Sequence, residues 1–122
     1  MARILVVDDS PTEMFRFKEI LTKHGYEILE ATNGADGVTL ANAERPDLVL
    51  MDVVMPGVNG FQATRQIARG EFTKHIPVVI VSTKDQDTDR VWGKRQGASD
   101  YLTKPVDEAQ LIDVIKKYLT AG

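Results

Sequence analysis

Three aspartates stand at the ends of short apolar runs: Ile4-Leu5-Val6-Val7 is followed by Asp8-Asp9, and Leu48-Val49-Leu50-Met51 by Asp52. If these runs are neighbouring strands, the carboxylates converge. Holding like charges a few ångströms apart is costly unless something neutralises them, and an oxygen-only donor set suits a hard divalent cation such as Mg²⁺. An Asp-Asp pair alone is weak evidence, because Asp is common in turns and either residue could assist a helix cap. Asp52 at the matching end of another run strengthens it. Ser82 closes the run Val78-Val79-Ile80-Val81, and Lys104-Pro105 follows Tyr101-Leu102-Thr103. Taken singly, Ser82 caps a loop and Lys104 is a solvated charge. Together, a hydroxyl and an ammonium complement a phosphoryl group on Asp52, whose negative charge needs balancing. A cis Lys104-Pro105 bond would aim the ammonium inward, although cis is the minority state of X-Pro bonds.

That chemistry depends on the elements that carry the residues. Strand-like runs at 4–7, 27–31, 48–51, 78–81 and 101–102 alternate with helical patterns, which predicts an α/β domain with a parallel sheet. Ser10-Pro11-Thr12-Glu13 is a helix start, with a capping Ser, Pro at the first helical position and Glu three residues after the cap. Met14, Phe17 and Leu21 form its apolar stripe, and Gly25 ends it. The second helix is expected from Asn33-Gly34 to before Pro46, and the third after Asn59-Gly60, with Phe61, Thr64 and Ile67 inward. The fifth is expected from Asp107, with Leu111, Ile115 and Leu119 inward. The fourth, over 87–96, has only the adjacent Val91 and Trp92 as large apolar residues and contains Gly93. An interior Gly costs about 1 kcal/mol relative to Ala, so this helix is expected to be the least firmly held. It reads equally as a solvated helix or as a mobile, partner-facing one.

The first, third and fourth runs are continuously apolar, as central parallel strands are, whereas the second and fifth are more polar and read as edges. With right-handed crossovers this gives the order 2-1-3-4-5, a doubly wound flavodoxin-like sheet with helices on both faces. Ligands then bind beyond the carboxyl ends of the first and third strands, where Asp8, Asp9 and Asp52 fall.

The 122 residues are enough for one domain, with no room for an output module, and 43% hydrophobic with 27% charged residues is an ordinary globular balance. With no Cys, disulfides, thiol chemistry and Cys-based zinc sites are excluded. A net charge of −3 has the wrong sign for gripping nucleic-acid backbones. The amino terminus is neither a signal peptide nor a membrane span, so a soluble cytoplasmic protein without membrane insertion is expected. His24 and His75 lack partners at ligand-like spacing and read as surface residues.

Val6-Val7-Asp8-Asp9-Ser10, the stretch Val49-Leu50-Met51-Asp52-Val53-Val54-Met55-Pro56-Gly57, Val81-Ser82-Thr83 and Tyr101-Leu102-Thr103-Lys104-Pro105 resemble the signature blocks of two-component response-regulator receiver domains. The likeness covers essentially the whole chain. The stretch from Thr83 to Gly97 also resembles the small stand-alone receivers of type IV pilus, twitching-motility chemosensory systems. The resemblance implies that Asp52 accepts a phosphoryl group from the phosphohistidine of a sensor kinase. It implies Mg²⁺ held by Asp9, Asp52 and the backbone carbonyl of Val54, with Asp8 helping through water. Lys104 and Ser82 would contact the phosphoryl oxygens, and Tyr101 would turn inward as Ser82 moves toward the phosphate. Output to a downstream motility or signalling protein would run through the face of the fourth helix, fifth strand and fifth helix. Alternatively, the domain would drain phosphoryl groups from a shared kinase. No conventional enzyme is implied beyond self-phosphorylation and slow autodephosphorylation.

Thr83 stands where the family usually has Ala or Gly and would crowd the mouth of the site, Val54 offers no polar side chain to position a water, and Lys84 could exclude or orient one. A dehalogenase-type phosphatase needs a second Asp two residues after its nucleophile, where this chain has Val54 after Asp52 and Ser10 after Asp8. Neither G-x-x-x-x-G-K-[ST] nor G-x-G-x-x-G is present. The alternative is a degenerate receiver that acts only as a protein-binding module.

Overall fold

The three continuously apolar runs form the central strands because each can bury both faces between helices. The structure, a computed structural model, describes residues 1–120. In chain order the elements are β1 (Arg3–Val7), α1 (Pro11–Lys23), β2 (Glu27–Ala31), α2 (Gly34–Glu44), β3 (Leu48–Met51), α3 (Gly60–Arg69), β4 (Val78–Ser82), α4 (Asp87–Arg95), β5 (Asp100–Thr103) and α5 (Glu108–Thr120). All strand pairs are parallel and the order is β2-β1-β3-β4-β5, as expected from strand polarity. Boundaries differ from the sequence reading by a residue or two: α4 ends at Arg95 and α5 begins at Glu108.

Alternation along the strands divides the core. Ile4, Val6, Leu48 and Leu50 face α1 and α5, meeting Met14, Phe17, Leu21, Leu111 and Ile115. Leu5, Val7, Val49 and Met51 face the opposite side and pack with Ala41, Ala63 and Ile67. Leu119 and Phe61, both expected inward, are only partly buried at the margins of their clusters. Ser10 caps α1 by accepting from the Glu13 N–H at 3.3 Å, and Asn59 and Gln62 form a reciprocal capping box on α3.

Gly60 is fixed by close approach to backbone. A Cβ on Gly60 would lie 2.0 Å from the Asp52 carbonyl oxygen and 2.5 Å from Val53 Cα, so α3 can start against the Asp52 loop only without a side chain. Gly60→Ala is therefore expected to lose about 3 kcal/mol or more of unfolding free energy, seen as a lower urea midpoint with an unchanged slope. A midpoint within error of the parent would contradict this packing. In α4, a Cβ on Gly93 would meet Ile80 Cδ1 at 3.0 Å and Tyr101 Cδ2 at 3.1 Å. Gly93 is the buried residue of that helix, while Val91 and Trp92 are 53% and 47% exposed. The glycine that reads as a weak point in sequence is where α4 touches the sheet. Among the described residues no helix is long and apolar enough to cross a membrane.

Candidate functional site

Backbone hydrogen bonds carry the sheet one residue beyond its strands and so place the chemistry. Asp8 N–H donates to Ala31 O at 3.0 Å, Asp52 N–H to Val7 O at 2.9 Å, and Lys104 N–H to Ser82 O at 2.8 Å. These links bring Asp8, Asp9, Asp52, Ser82 and Lys104 to one edge of the sheet, as the sequence predicts. Carboxylate oxygens of Asp8, Asp9 and Asp52 lie within 4.8 Å of one another. Asp8 and Asp52 are 2% and 8% exposed, and Asp9 is open to solvent.

Lys104 supplies the countercharge. Its Nζ lies 2.7 Å from Asp8 Oδ2 and 3.7 Å from Asp52 Oδ2, and its peptide bond to Pro105 is cis. Burial alone would pull the Lys104 pKa down, but the Asp8 hydrogen bond and the charges of Asp52, Asp8 and Glu13 outweigh it, and the net shift is upward. Burial pushes the Asp52 carboxyl up. The Lys104 charge and the Val54 N–H, 3.3 Å from Asp52 Oδ1, pull it back without cancelling the rise. Asp8 is more fully paired, since its Oδ1 accepts from the Ser10 N–H at 2.9 Å. The turn at the start of α1 thus uses Asp8 as well as Ser10.

The oxygen-only donor set fits a hard divalent cation. Three carboxylates face one lysine, two of them are buried, and Asp9 leaves a solvent-open side where water can complete a coordination shell. Val54 itself is 51% exposed.

Ser82 is fully buried, and its Oγ accepts from the Lys84 N–H at 3.2 Å. The Tyr101 ring is packed against the sheet. It points inward, 8% exposed, with its ring in a cluster with Ile80, Val53 and Ala98. Its hydroxyl donates to Lys84 O at 2.7 Å, which ties the ring to the loop after β4. Arg90 braces the same strand, donating to Tyr101 O at 3.3 Å and Thr103 Oγ1 at 2.6 Å. Sequence spacing gives no sign of these contacts, because they join residues 11 and 13 positions apart across a loop. His24 and His75 are exposed, and His24 pairs with Glu108 at 3.0 Å.

The response regulator receiver domain family matches residues 4–116. The chain is 65% identical over 119 residues to Protein PilH of Pseudomonas aeruginosa, covering 98% of both chains. It is 42% identical over 110 residues, 90% of this chain, to Response regulator PleD of Caulobacter vibrioides, of which it spans 24%. Among solved structures it is similar to the receiver domain of a sensor histidine kinase from Pseudomonas aeruginosa PAO1, which has a magnesium ion coordinated in the active site cleft. That likeness has a TM-score of 0.91 and 28% identity, covering 98% of both chains.

Proposed function

The chain belongs to the response regulator receiver domain family, and from that membership we propose that it is a stand-alone receiver that accepts a phosphoryl group on Asp52 from a sensor histidine kinase. The observation that carries the reading is the Lys104 ammonium, set 2.7 Å from Asp8 and 3.7 Å from Asp52 at the carboxyl ends of the strands. An Asp52 oxygen attacks phosphorus, the P–N bond of the phosphohistidine breaks, and its electron pair returns to the imidazole nitrogen. Lys104 and the Ser82 hydroxyl then balance and hold the phosphoryl oxygens. Asp9, Asp52 and the Val54 carbonyl would hold Mg²⁺, with Asp8 one water further out, in keeping with Asp8's pairing to Lys104 and Ser10. Bound there, Mg²⁺ supplies positive charge for the transferring oxygens.

In this reading the chain acts in the cytoplasm in pilus-based twitching motility, supported by 65% identity to PilH and by the likeness over Thr83 to Gly97. Output runs through α4, β5 and α5, where a cavity of about 470 Å³ is lined by Arg90, Lys94, Tyr101 and Tyr118. In this reading Tyr101 and Ser82 form the switch, and the inward ring seen here is one of the two positions that Tyr101 takes.

Labelling by acetyl phosphate is the direct test. It should require Mg²⁺ and be lost in EDTA, and Asp9→Ala should weaken Mg²⁺ binding more than Asp8→Ala. Equal labelling with and without EDTA would contradict the reading.

A further inference from the structure

The carboxylate site is tied to the β5–α5 connection through α1. Ser10, the N-cap of α1, donates its N–H to Asp8 Oδ1, and Asp8 Oδ2 accepts from Lys104 Nζ. Further along α1, the Arg16 guanidinium donates from Nη2 to the Val106 carbonyl at 2.5 Å, spanning 90 positions of sequence. Val106 stands two residues beyond Lys104, and its side chain is 1% exposed in the core that α1 and α5 share. Contacts thus run in a closed circuit from Asp8 through Ser10, α1, Arg16 and Val106 to Lys104, and back to Asp8. At the far end of the helix Lys23 and His24 meet Glu108 of α5 at 2.7 and 3.0 Å. Exposed ion pairs of that kind contribute little alone, so the part-buried Arg16 bond is the stronger restraint on this connection.

Lysine has a flexible four-carbon stem, and where its ammonium can reach is set by where its backbone is held. Here Nζ is committed to Asp8 and lies 3.7 Å from Asp52, within a short shift of oxygens carried by that carboxylate. The geometry assigns Arg16 as a positioning residue for Lys104: by pinning the Val106 carbonyl to α1, it fixes the backbone from which the ammonium reaches a group on Asp52. Glu13, one turn before Arg16, adds a favourable charge toward the same ammonium. The inference rests on the phosphoacceptor reading above and adds a residue that lies outside every signature block.

Two probes separate Lys104 from the carboxylates. Beryllofluoride, a phosphoryl mimic, reads the ammonium at the acceptor, whereas Mg²⁺ alone reads the carboxylates; both are titrated by amide NMR. Arg16→Met keeps the apolar stem and removes the donor. It should weaken beryllofluoride binding at saturating Mg²⁺ about tenfold and leave the Mg²⁺ Kd within about twofold, as expected for residues sharing one network. Arg16→Lys should recover part of the loss. In a Lys104→Met background, Arg16→Met should change beryllofluoride affinity no further. Unchanged affinity in Arg16→Met, or losses that add fully in the double variant, would overturn the assignment. Should Arg16→Met fail to fold, the same cycle run with Arg16→Lys decides the question. A native chain that binds no beryllofluoride overturns the phosphoacceptor reading and this inference with it. A native chain that binds it but ignores Arg16 overturns the inference alone.

Discussion

Asp52→Asn is expected to abolish labelling by acetyl phosphate or a phosphohistidine kinase, because the amide is not a nucleophile and no other carboxylate has Asp52's setting. Asp8 is occupied by Ser10 and Lys104, and Asp9 is exposed. The same substitution should make the metal-free protein more stable at neutral pH. Burial raises the folded-state pKa of Asp52 above its unfolded value, with Lys104 and the Val54 N–H only partly opposing it. A carboxyl raised in this way adds stability below the unfolded pKa, and that contribution is lost as pH rises through the folded one. At pH 7 the ionised, 8%-exposed carboxylate is therefore a net cost that Asn does not carry. Urea denaturation without Mg²⁺ should find Asp52→Asn ahead of the parent at pH 7, with the gap closing toward roughly pH 4. Saturating Mg²⁺ should shift the balance back toward the parent, which binds the ion more tightly than the variant. Retained labelling would remove Asp52 as acceptor, and a stability gap that widens on acidification would remove the burial argument.

The second large effect is expected at Lys104. Its side chain is 9% exposed, and the Asp8 carboxylate it pairs with is 2% exposed. Lys104→Met keeps the stem and leaves Asp8 and Asp52 facing each other without a cation. Removing one partner of a buried pair costs about 3–5 kcal/mol, so a loss of that order is expected at pH 7 without metal. The parent's lysine, raised by Asp8 and Asp52 against its own burial, contributes stability throughout the range below the ordinary lysine pKa and loses it only above that. The variant's deficit should therefore shrink on acidification, when the stranded carboxylates take up protons. Phosphorylation should fall by about 10²-fold or more, as when a preorganised donor is removed from a developing anion. Mg²⁺ affinity should rise in the same variant, because a competing cation has left the site. Calorimetric Mg²⁺ titration beside denaturation checks both signs. A variant as stable as the parent with weaker Mg²⁺ binding would show that Lys104 is not the site's countercharge.

Much of this was determined by residues adjacent in sequence. Apolar runs ending in Asp8-Asp9 and Met51-Asp52, with strand polarity falling at β2 and β5, suffice for the sheet order and for the edge where the carboxylates meet. Period and punctuation are local properties of the chain, and topology rules turn them into a layout. Ser10-Pro11 and Asn59-Gly60 likewise start α1 and α3 where the sequence places them. Only the tertiary structure decided which groups pair at that edge. It gives Lys104 to Asp8 rather than to Asp52, turns Tyr101 inward against Ile80, and makes Gly93 the contact point of α4. It also joins Arg16 to Val106 across 90 positions. Periodicity reports which way a side chain points from its own element. The hydrogen bond it makes depends on ångström-scale separations between elements, which arise when the whole core packs and which no local run of residues encodes.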